Sequence, residues 1–242
     1  MPGELDREII LDGCVNFRDV GGYVAAGGAV RWRRLFRSDA LHALTAADVE
    51  VLRGLNLTTV IDLRSGFERE HDGPGPHPLA ELSVRFVHAP IIDAGNGAIM
   101  ADSSLTLAER YARIVETAAE PVAAAVTAIA ASPGASVFHC AAGKDRTGMV
   151  SAVVLGALGV ADDDVVADYA MTGAHLEAIS AKLQGHPAYE TTYQYVPKDA
   201  MTADAQTMSG FIAELRARHG DMGGFLRGAG VNTDLLRAAL VA

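Results

Sequence analysis

Cys140 and Arg146 are the two residues of this sequence whose types and spacing best suit chemistry at phosphorus. Five residues, three of them Ala or Gly, separate the two. The apolar pair Val137 and Phe138 lies just before Cys140, and the apolar spacing of a buried helix follows Arg146. This pattern predicts a loop between a strand and a helix N-terminus, where unpaired backbone N–H groups and the helix dipole favour an anion.

The composition of this loop is that of a phosphate cradle, because small residues let several backbone amides converge on one oxyanion. The guanidinium of Arg146 can bind two phosphate oxygens at once. In the same positive field we expect Cys140 to be largely thiolate and therefore a nucleophile, with the Thr147 hydroxyl donating to its sulfur. The residues expected to bind phosphate are Ala141, Ala142, Gly143, Lys144, Asp145, Arg146 and Thr147.

The segment 139–148 resembles the Cys-x5-Arg-Thr signature of the cysteine-dependent protein tyrosine phosphatases. Its Gly-Lys-Asp-Arg-Thr-Gly form is similar to that of the bacterial tyrosine and lipid phosphatases related to mycobacterial protein tyrosine phosphatase B. The stretches 16–22, 60–65 and 223–226 resemble that branch as well. The resemblance implies a metal-independent phosphatase with a phosphocysteine intermediate. It also implies phosphotyrosine protein substrates and, more broadly, phosphoserine, phosphothreonine and phosphoinositides, the last suggested by the extra cation Lys144.

Asp93 is the predicted general acid. A phosphatase of this kind gains roughly 10²–10⁴-fold in rate when a carboxylic acid protonates the leaving group. Asp93 follows the predicted strand at 84–88, and the resemblance aligns it with the general acid of the family. Gly95 and Gly97 leave its loop free to move. Asp102 and Asp145 are the alternatives.

Other interpretations of the loop fit less well. Gly143 and Gly148 have the glycine spacing of a nucleotide-binding loop, but Met149 stands where that motif needs lysine. An inert buried cysteine is the structural alternative. A catalytically silent module that binds phosphorylated ligands is the alternative function. A thiol enzyme such as an arsenate reductase would need Cys14 to approach Cys140, which we do not expect.

The composition limits the remaining possibilities. With 242 residues, of which 50% are apolar, the chain is predicted to form a single domain over 1–242. A net charge of −10 argues against general nucleic-acid binding. Two cysteines fit a reducing compartment, and no His-x3-His pair is present, so we expect no metal and no cofactor. No leader or membrane-spanning segment is visible, so we expect a cytoplasmic protein without stable membrane insertion.

Apolar periodicity predicts an α/β fold in which helices flank a central, mostly parallel sheet. Strands are expected at 9–14, 58–63 and 84–88, and a further strand is expected to end at Val137 and Phe138. Helices are expected to begin near Thr45, Ser104, Pro121, Arg146, Asp162, Thr202 and Asn232. The stripe formed by Leu176, Ile179 and Leu183 predicts an amphipathic helix. The family resemblance implies that this helix belongs to a lid within 173–201.

Several charged and aromatic groups leave two interpretations open. Arg18 and Asp19 are expected to be scaffold rather than active-site residues. Asp62 and Arg64 either brace the phosphate loop or form a buried ion pair. The arginines at 31, 33, 34 and 37 form either a basic rim with the loop or a solvated strand edge, and the tyrosines at 189, 193 and 195 are expected to be exposed.

Overall fold

A computed structural model describes residues 7–73, 77–80, 82–184, 189 and 201–242 of the chain. The strands of this part are β1 Arg18–Asp19, β2 Val24–Ala25, β3 Gly28–Ala29, β4 Leu35–Ser38, β5 Leu57–Asp62, β6 Arg85–His88 and β7 Ala135–His139. The main sheet has the order β1, β4, β7, β5, β6, while β2 and β3 form a separate antiparallel pair. Neighbouring strands are parallel from β4 to β6, and β1 is antiparallel to β4. The predicted mostly parallel sheet is confirmed.

The helices up to the phosphate loop are α1 Ala46–Gly54, α2 Gly66–Asp72, α3 His77–Ala80, α4 Ala98–Ala101, α5 Leu107–Thr117 and α6 Ala119–Ala130. Those after it are α7 Asp145–Ala157, α8 Asp162–Ala170, a 3₁₀ helix Met171–His175, α9 Leu176–Leu183, α10 Ala205–His219, α11 Met222–Gly228 and α12 Thr233–Leu240. Thr45 and Asp48 form the predicted capping box of α1, and Asn232 caps α12. Within the described residues, no helix combines the length and apolar character needed to cross a membrane.

Helices cover both faces of the sheet, as its side-chain alternation requires. Along β7, Val137 packs into a cluster with residues of α1, whereas Phe138 packs into a larger cluster with residues of α5, α6, α7 and α10. Val60 and Ile61 on β5 divide in the same way. Successive apolar residues of the central strands are therefore buried on opposite faces of the sheet.

The predicted strand at 9–14 is wrong. The only ladder contact in this region is an isolated bridge between Glu8 and Arg18, within the described residues. The backbone N–H groups of Asp12 and Gly13 instead donate to the carboxylate of Asp48, at 2.7 and 2.9 Å. A side chain thus satisfies the donors that a neighbouring strand would otherwise have bonded, and the apolar residues at 11 and 14 still reach the core.

The carboxyl ends of the four parallel strands meet at one edge of the sheet. These strands end at Ser38, Asp62, His88 and His139, and His139 lies between the ends of its two neighbours in the strand register. The residues that follow each end are the segment beginning at 39, the segment 63–65, the loop that carries Asp93, and Cys140. This edge is where open α/β sheets assemble ligand sites.

Behind this edge lies a buried cluster of two arginines and one aspartate. Arg18 Nε lies 3.2 Å from Asp168 Oδ1, and Arg37 Nη1 pairs with Asp168 Oδ2. The Ser151 hydroxyl donates to the same carboxylate at 3.0 Å. Burial, together with the nearby charge of Arg37, lowers the pKa of Arg18 to about 10. Burial alone would raise the pKa of Asp168, but the two guanidinium groups hold it well below its usual range.

We expect Asp168→Ala to destabilise the protein by about 3–5 kcal/mol, because it leaves two buried guanidinium groups without their common carboxylate. Urea unfolding measures this change. Ser151→Ala is the matched control, since it removes one hydrogen bond to Asp168 without changing a charge, at a cost of about 1.5–3 kcal/mol. Equal losses in the two variants would contradict a stabilising role for the charge cluster.

Candidate active site

The segment between β7 and α7 forms a tight loop at the sheet edge. It begins at Cys140, directly after β7, and ends where α7 starts at Asp145. Gly143 has φ +66°, and a Cβ at this position would lie 2.7 Å from backbone atoms of Ser38 and Asp39. Glycine is therefore required here both for its backbone conformation and for space.

The carbonyl oxygens of this loop accept hydrogen bonds from residues outside the loop. Ala141 O accepts from Ala40 N at 3.0 Å, and Ala142 O accepts from Asn16 Nδ2 at 3.1 Å. Gly143 O accepts from Arg37 Nη2 at 2.8 Å. A planar trans peptide directs each C=O and the following N–H to opposite sides. The amides of the three residues after these carbonyls, 142–144, therefore point away from the scaffold, which is the arrangement that an oxyanion cradle needs.

The sulfur of Cys140 lies at the base of this loop and accepts a hydrogen bond from the first turn of α7. Thr147 Oγ1 donates to Cys140 Sγ at 3.2 Å, and Cys140 is only 1% exposed. Such a bond stabilises the sulfur as an anion. Cys14 is also free and buried, and its thiol lies 3.7 Å from Ala40 O. Burial, with a further contribution from Asp39, raises the pKa of Cys14 far above that of an ordinary thiol.

Arg146 is held by a carboxylate that the sequence pattern did not single out. Its Nη1 and Nη2 atoms lie 2.5 and 2.8 Å from the two carboxylate oxygens of Glu68 on α2. Glu68 also accepts from Ser65 N at 2.7 Å and from the Tyr189 hydroxyl at 2.7 Å. Burial alone would raise the pKa of Glu68, but the charge of Arg146 and these hydrogen bonds lower it to about 2. The same pair holds the pKa of Arg146 well above its ordinary value, against the effect of burial.

Lys144 and Asp145 form a second ion pair within the loop. Lys144 Nζ lies 3.2 Å from Asp145 Oδ1, and the Tyr111 hydroxyl donates to the same oxygen. Tyr111 in turn lies 3.0 Å from the hydroxyl of Tyr169. Burial, with the adjacent Asp145 carboxylate, raises the pKa of Tyr111 well above its ordinary value, so this phenol stays protonated. Asp145 therefore orients Lys144. Its own side chain lies at the wall of the neighbouring cavity.

A cavity of about 1090 Å³ opens beside the loop. Ala141, Ala142 and the side chains from Lys144 to Arg146 line it, and so does Asp93 from the loop after β6. Asp93 is exposed, and its carboxylate accepts from Gly95 N at 2.7 Å. The structure thus brings the predicted acid and the phosphate loop to one cavity. The alternative acid Asp102 accepts from Ser104 N and Oγ, at 3.0 and 2.6 Å.

The predicted lid segment contributes a wall of this cavity. The 3₁₀ helix and α9 cover its first part, and Leu176, Ile179 and Leu183 all line the cavity. Tyr189 also lines it and is 7% exposed, so its predicted exposure is wrong. The rest of the predicted lid, 185–188 and 190–200, with the tyrosines at 193 and 195, lies outside the described residues. Whether the segment opens and closes stays a prediction.

A sequence profile described as the tyrosine phosphatase family matches residues 9–242. The chain belongs to the tyrosine phosphatase family. This match confirms the resemblance inferred from segment 139–148, because it spans the loop, the strand ends around it and the C-terminal helices together.

Named relatives of this family member are bacterial. The triple specificity protein phosphatase PtpB of Mycobacterium tuberculosis is 29% identical over 92% of this chain and 94% of its own length. A Cupriavidus necator protein provisionally named a tyrosine-protein phosphatase is 36% identical over 67% of this chain, and the match spans only 62% of that relative's length. A crystal structure of P. aeruginosa TpbA aligns with 90% of this chain and 94% of its own, at 18% identity and a TM-score of 0.31, too weak a similarity to support any inference.

Asp19, Asp62 and Arg64 of this tyrosine phosphatase family member make hydrogen bonds within the fold. Asp19 accepts from Gly21 N at 2.7 Å and from Arg33 N at 2.8 Å, as expected of a scaffold residue. Arg64 donates to both oxygens of Asp62, at 3.0 and 2.8 Å, so the two residues form a buried ion pair. Asp62 Oδ1 also lies 3.9 Å from Nε2 of His139, the residue before Cys140, and a bracing role for the pair stays a prediction.

The four arginines at 31–37 do not form a common basic rim. Arg31 and Arg34 donate to backbone carbonyl groups, and Arg33 lies 3.7 Å from a carboxylate oxygen of Asp19. Arg37 is the member of this group that reaches the loop, and it does so from within the core. The group therefore supports the backbone of the family fold rather than surrounding a charged substrate.

One local signal could have identified more of the site. Ser65 and Glu68 have the spacing of a capping box shortly after β5, and this pattern predicts a carboxylate near the carboxyl edge of the sheet. Asn16 belongs to the family-like segment 16–22, but its hydrogen bond to Ala142 O joins residues 126 positions apart. A contact of that range leaves no local pattern.

We expect the contribution of Glu68 to the free energy of unfolding to decrease as the pH falls. Its folded-state pKa of about 2 lies below the ordinary value of 4.5. The contribution is therefore complete above pH ~5.5 and is lost as the pH falls toward 2. The difference in unfolding free energy between the wild type and Glu68→Gln should be constant from pH ~6 to ~8 and should shrink below pH ~5.

Glu50→Gln provides the matched control for this titration. Glu50 lies 3.3 Å from Arg53 in an exposed pair on α1, so its replacement should change stability by only a few tenths of a kcal/mol, about 0.2–0.5. A Glu68→Gln difference that stays constant down to pH ~3 would show that the ion pair does not stabilise the fold.

Proposed function

We propose that this protein hydrolyses phosphate monoesters through a phosphocysteine intermediate, as a protein tyrosine phosphatase. Cys140 attacks phosphorus, and the P–O bond to the leaving group breaks as a P–S bond forms. Arg146 and the loop amides bind the three non-bridging oxygens. Water then attacks phosphorus, which releases inorganic phosphate and returns the thiolate. Phosphoserine, phosphothreonine and phosphoinositides are the wider substrate range to be assayed.

The observation that supports this proposal most is the arrangement around Cys140. Its sulfur accepts a hydrogen bond from Thr147 Oγ1 at 3.2 Å. The sulfur lies at the base of a loop whose carbonyl oxygens accept hydrogen bonds from Asn16 and Arg37. A thiol that served packing alone would need neither inward-directed amides nor a guanidinium next to them. The Thr147 hydroxyl also stabilises the sulfur when it leaves phosphorus in the second step.

Arg146 keeps enough hydrogen-bonding capacity for this role. A guanidinium has five N–H groups, and Glu68 engages one on each of the two Nη atoms. The three remaining N–H groups can donate to phosphate oxygens while Glu68 fixes the orientation of the guanidinium plane. Pre-orientation of this kind lowers the cost of ordering a long side chain when substrate binds.

Asp93 is the proposed general acid, since it lies on the cavity wall and on an exposed loop. In the first step its carboxylic acid donates a proton to the departing oxygen, and in the second step its carboxylate accepts a proton from the attacking water. Asp145 remains the alternative, because it also lines the cavity and lies in the loop itself.

We expect Cys140→Ser to abolish hydrolysis of p-nitrophenyl phosphate, because a serine hydroxyl is not ionised at neutral pH. Cys14→Ser is the matched control and should retain activity, since Cys14 is the only other cysteine and lies outside the cavity wall. Wild-type turnover should persist in EDTA. Absence of turnover in the wild type would favour a silent phospho-ligand-binding module, and loss of turnover on adding EDTA would contradict the metal-independent mechanism.

The general acid can be identified from leaving-group dependence. Asp93→Asn should reduce kcat/KM, which reports the step that expels the leaving group, by about 10²–10⁴-fold for phenyl phosphate. The loss should be smaller for p-nitrophenyl phosphate, whose leaving group is stable without a proton. Asp145→Asn should lower kcat/KM for both substrates by a similar factor, because its role is to orient Lys144. The reverse pattern in the two variants would assign the acid to Asp145.

A further inference from the structure

The cavity beside the phosphate loop is much larger than a phosphate group requires. Its volume of about 1090 Å³ slightly exceeds the range of roughly 300–1,000 Å³ that small-molecule sites occupy. The loop residues and Arg146 account for one part of its lining. The remaining volume is available to the group to which the phosphate is esterified, so its lining bears on the choice of substrate.

Much of that remaining lining is apolar. Six side chains from α2, α4, α9 and the loop after β6 form a surface that we name the apolar lobe: Phe67, Ile92, Met100, Leu176, Ile179 and Leu183. Three of the six come from α9, at the helical spacing that places them on one face. None of the six side chains has a strong hydrogen-bonding group. Contact with such a surface favours apolar groups and penalises polar groups that lose water there.

The charges of the cavity wall suit one phosphate and no further anion. Among the described lining residues, two cations face four carboxylates. Arg146 and Lys144 are the cations, and each is already paired with a carboxylate, Glu68 or Asp145. The other two carboxylates are Asp93 and Glu177, the latter on α9 beside the apolar lobe. A second anionic group on the substrate body would meet this negative charge with no further cation among the described lining residues to compensate it.

From these observations we infer that the preferred substrate is a phosphate monoester with a single phosphate on an extended, uncharged apolar body that fills the apolar lobe. The inference rests on the proposed function, since it concerns the leaving group of that reaction. The aromatic ring of phosphotyrosine meets the requirement only in part, because it leaves much of the lobe unfilled. A body that bears further phosphates or carboxylates is disfavoured by the same wall.

Three aryl phosphates separate the contributions of size and charge. Phenyl phosphate and biphenyl-4-yl phosphate release phenols of similar acidity, so they differ mainly in apolar area. Biphenyl-4-yl phosphate should have a kcat/KM at least roughly tenfold higher, because each buried methylene-sized group in an apolar site contributes about 10–200-fold. A carboxylate on the distal ring leaves the reacting end unchanged, and it should remove most of that gain.

Variants test whether the apolar lobe is responsible. Leu176→Asn introduces an amide into the lobe and should reduce the ratio of the biphenyl to the phenyl kcat/KM toward one. Leu235→Asn is the matched control, because Leu235 is 60% exposed on α12 and does not line the cavity, so the ratio should not change. Glu177→Gln should increase kcat/KM for the carboxylated biphenyl substrate relative to the neutral one, because it removes a negative charge beside the lobe.

Failure of this inference can be distinguished from failure of the proposed function. If no aryl phosphate is hydrolysed, the proposed function itself is wrong. If phenyl phosphate is hydrolysed and the biphenyl ester is no better, only the inference about the lobe is overturned. Equal kcat/KM for the neutral and carboxylated biphenyl esters would overturn its charge requirement. A ratio that survives Leu176→Asn would show that the preference arises elsewhere.

Discussion

A phosphate cradle made of backbone amides depends on the groups that bind its carbonyl oxygens. Amides can converge only if each peptide plane is held, and small loop residues offer no side chains to hold it. In this protein the holding groups come from distant segments: the backbone N–H of Ala40, the amide of Asn16 and the guanidinium of Arg37. The geometry next to Cys140 is therefore a property of the sheet edge as a whole.

The same requirement explains why so many charges are buried near one loop. Arg37 can donate to Gly143 O only if its own charge is compensated, and Asp168 supplies that compensation while it also binds Arg18. Arg146 is compensated by Glu68 in the same way. Each guanidinium is thus buried together with a carboxylate that forms an ion pair with it, and this pairing limits the desolvation cost. Such a pair orients the guanidinium, and removal of either partner leaves an uncompensated buried charge.

The cavity combines two surfaces of different chemistry. One is the polar loop, whose amides and cations suit a dianion, and the other is the apolar lobe, half of which comes from α9. α9 is attached to the scaffold by an ion pair of 2.7 Å between Lys182 and Asp39, and Asp39 also accepts from the backbone of Asn16 at 3.2 Å. A continuous series of polar contacts therefore connects the wall that faces the leaving group to the residue that holds the phosphate loop. Proposed catalysis and proposed selectivity depend on one scaffold.

The sequence by itself determined the local features of this protein. The loop at 139–148, its place between a strand and a helix, the parallel sheet and most helix starts follow from short-range spacing and propensity, which a linear pattern records. Only the tertiary structure decided which groups meet: Glu68 with Arg146, Asn16 with Ala142, and Asp168 with two arginines. These contacts join residues far apart in the chain, and their energies depend on burial that no local pattern reveals. The error at 9–14 has the same cause, because the donors there found a distant carboxylate instead of a neighbouring strand.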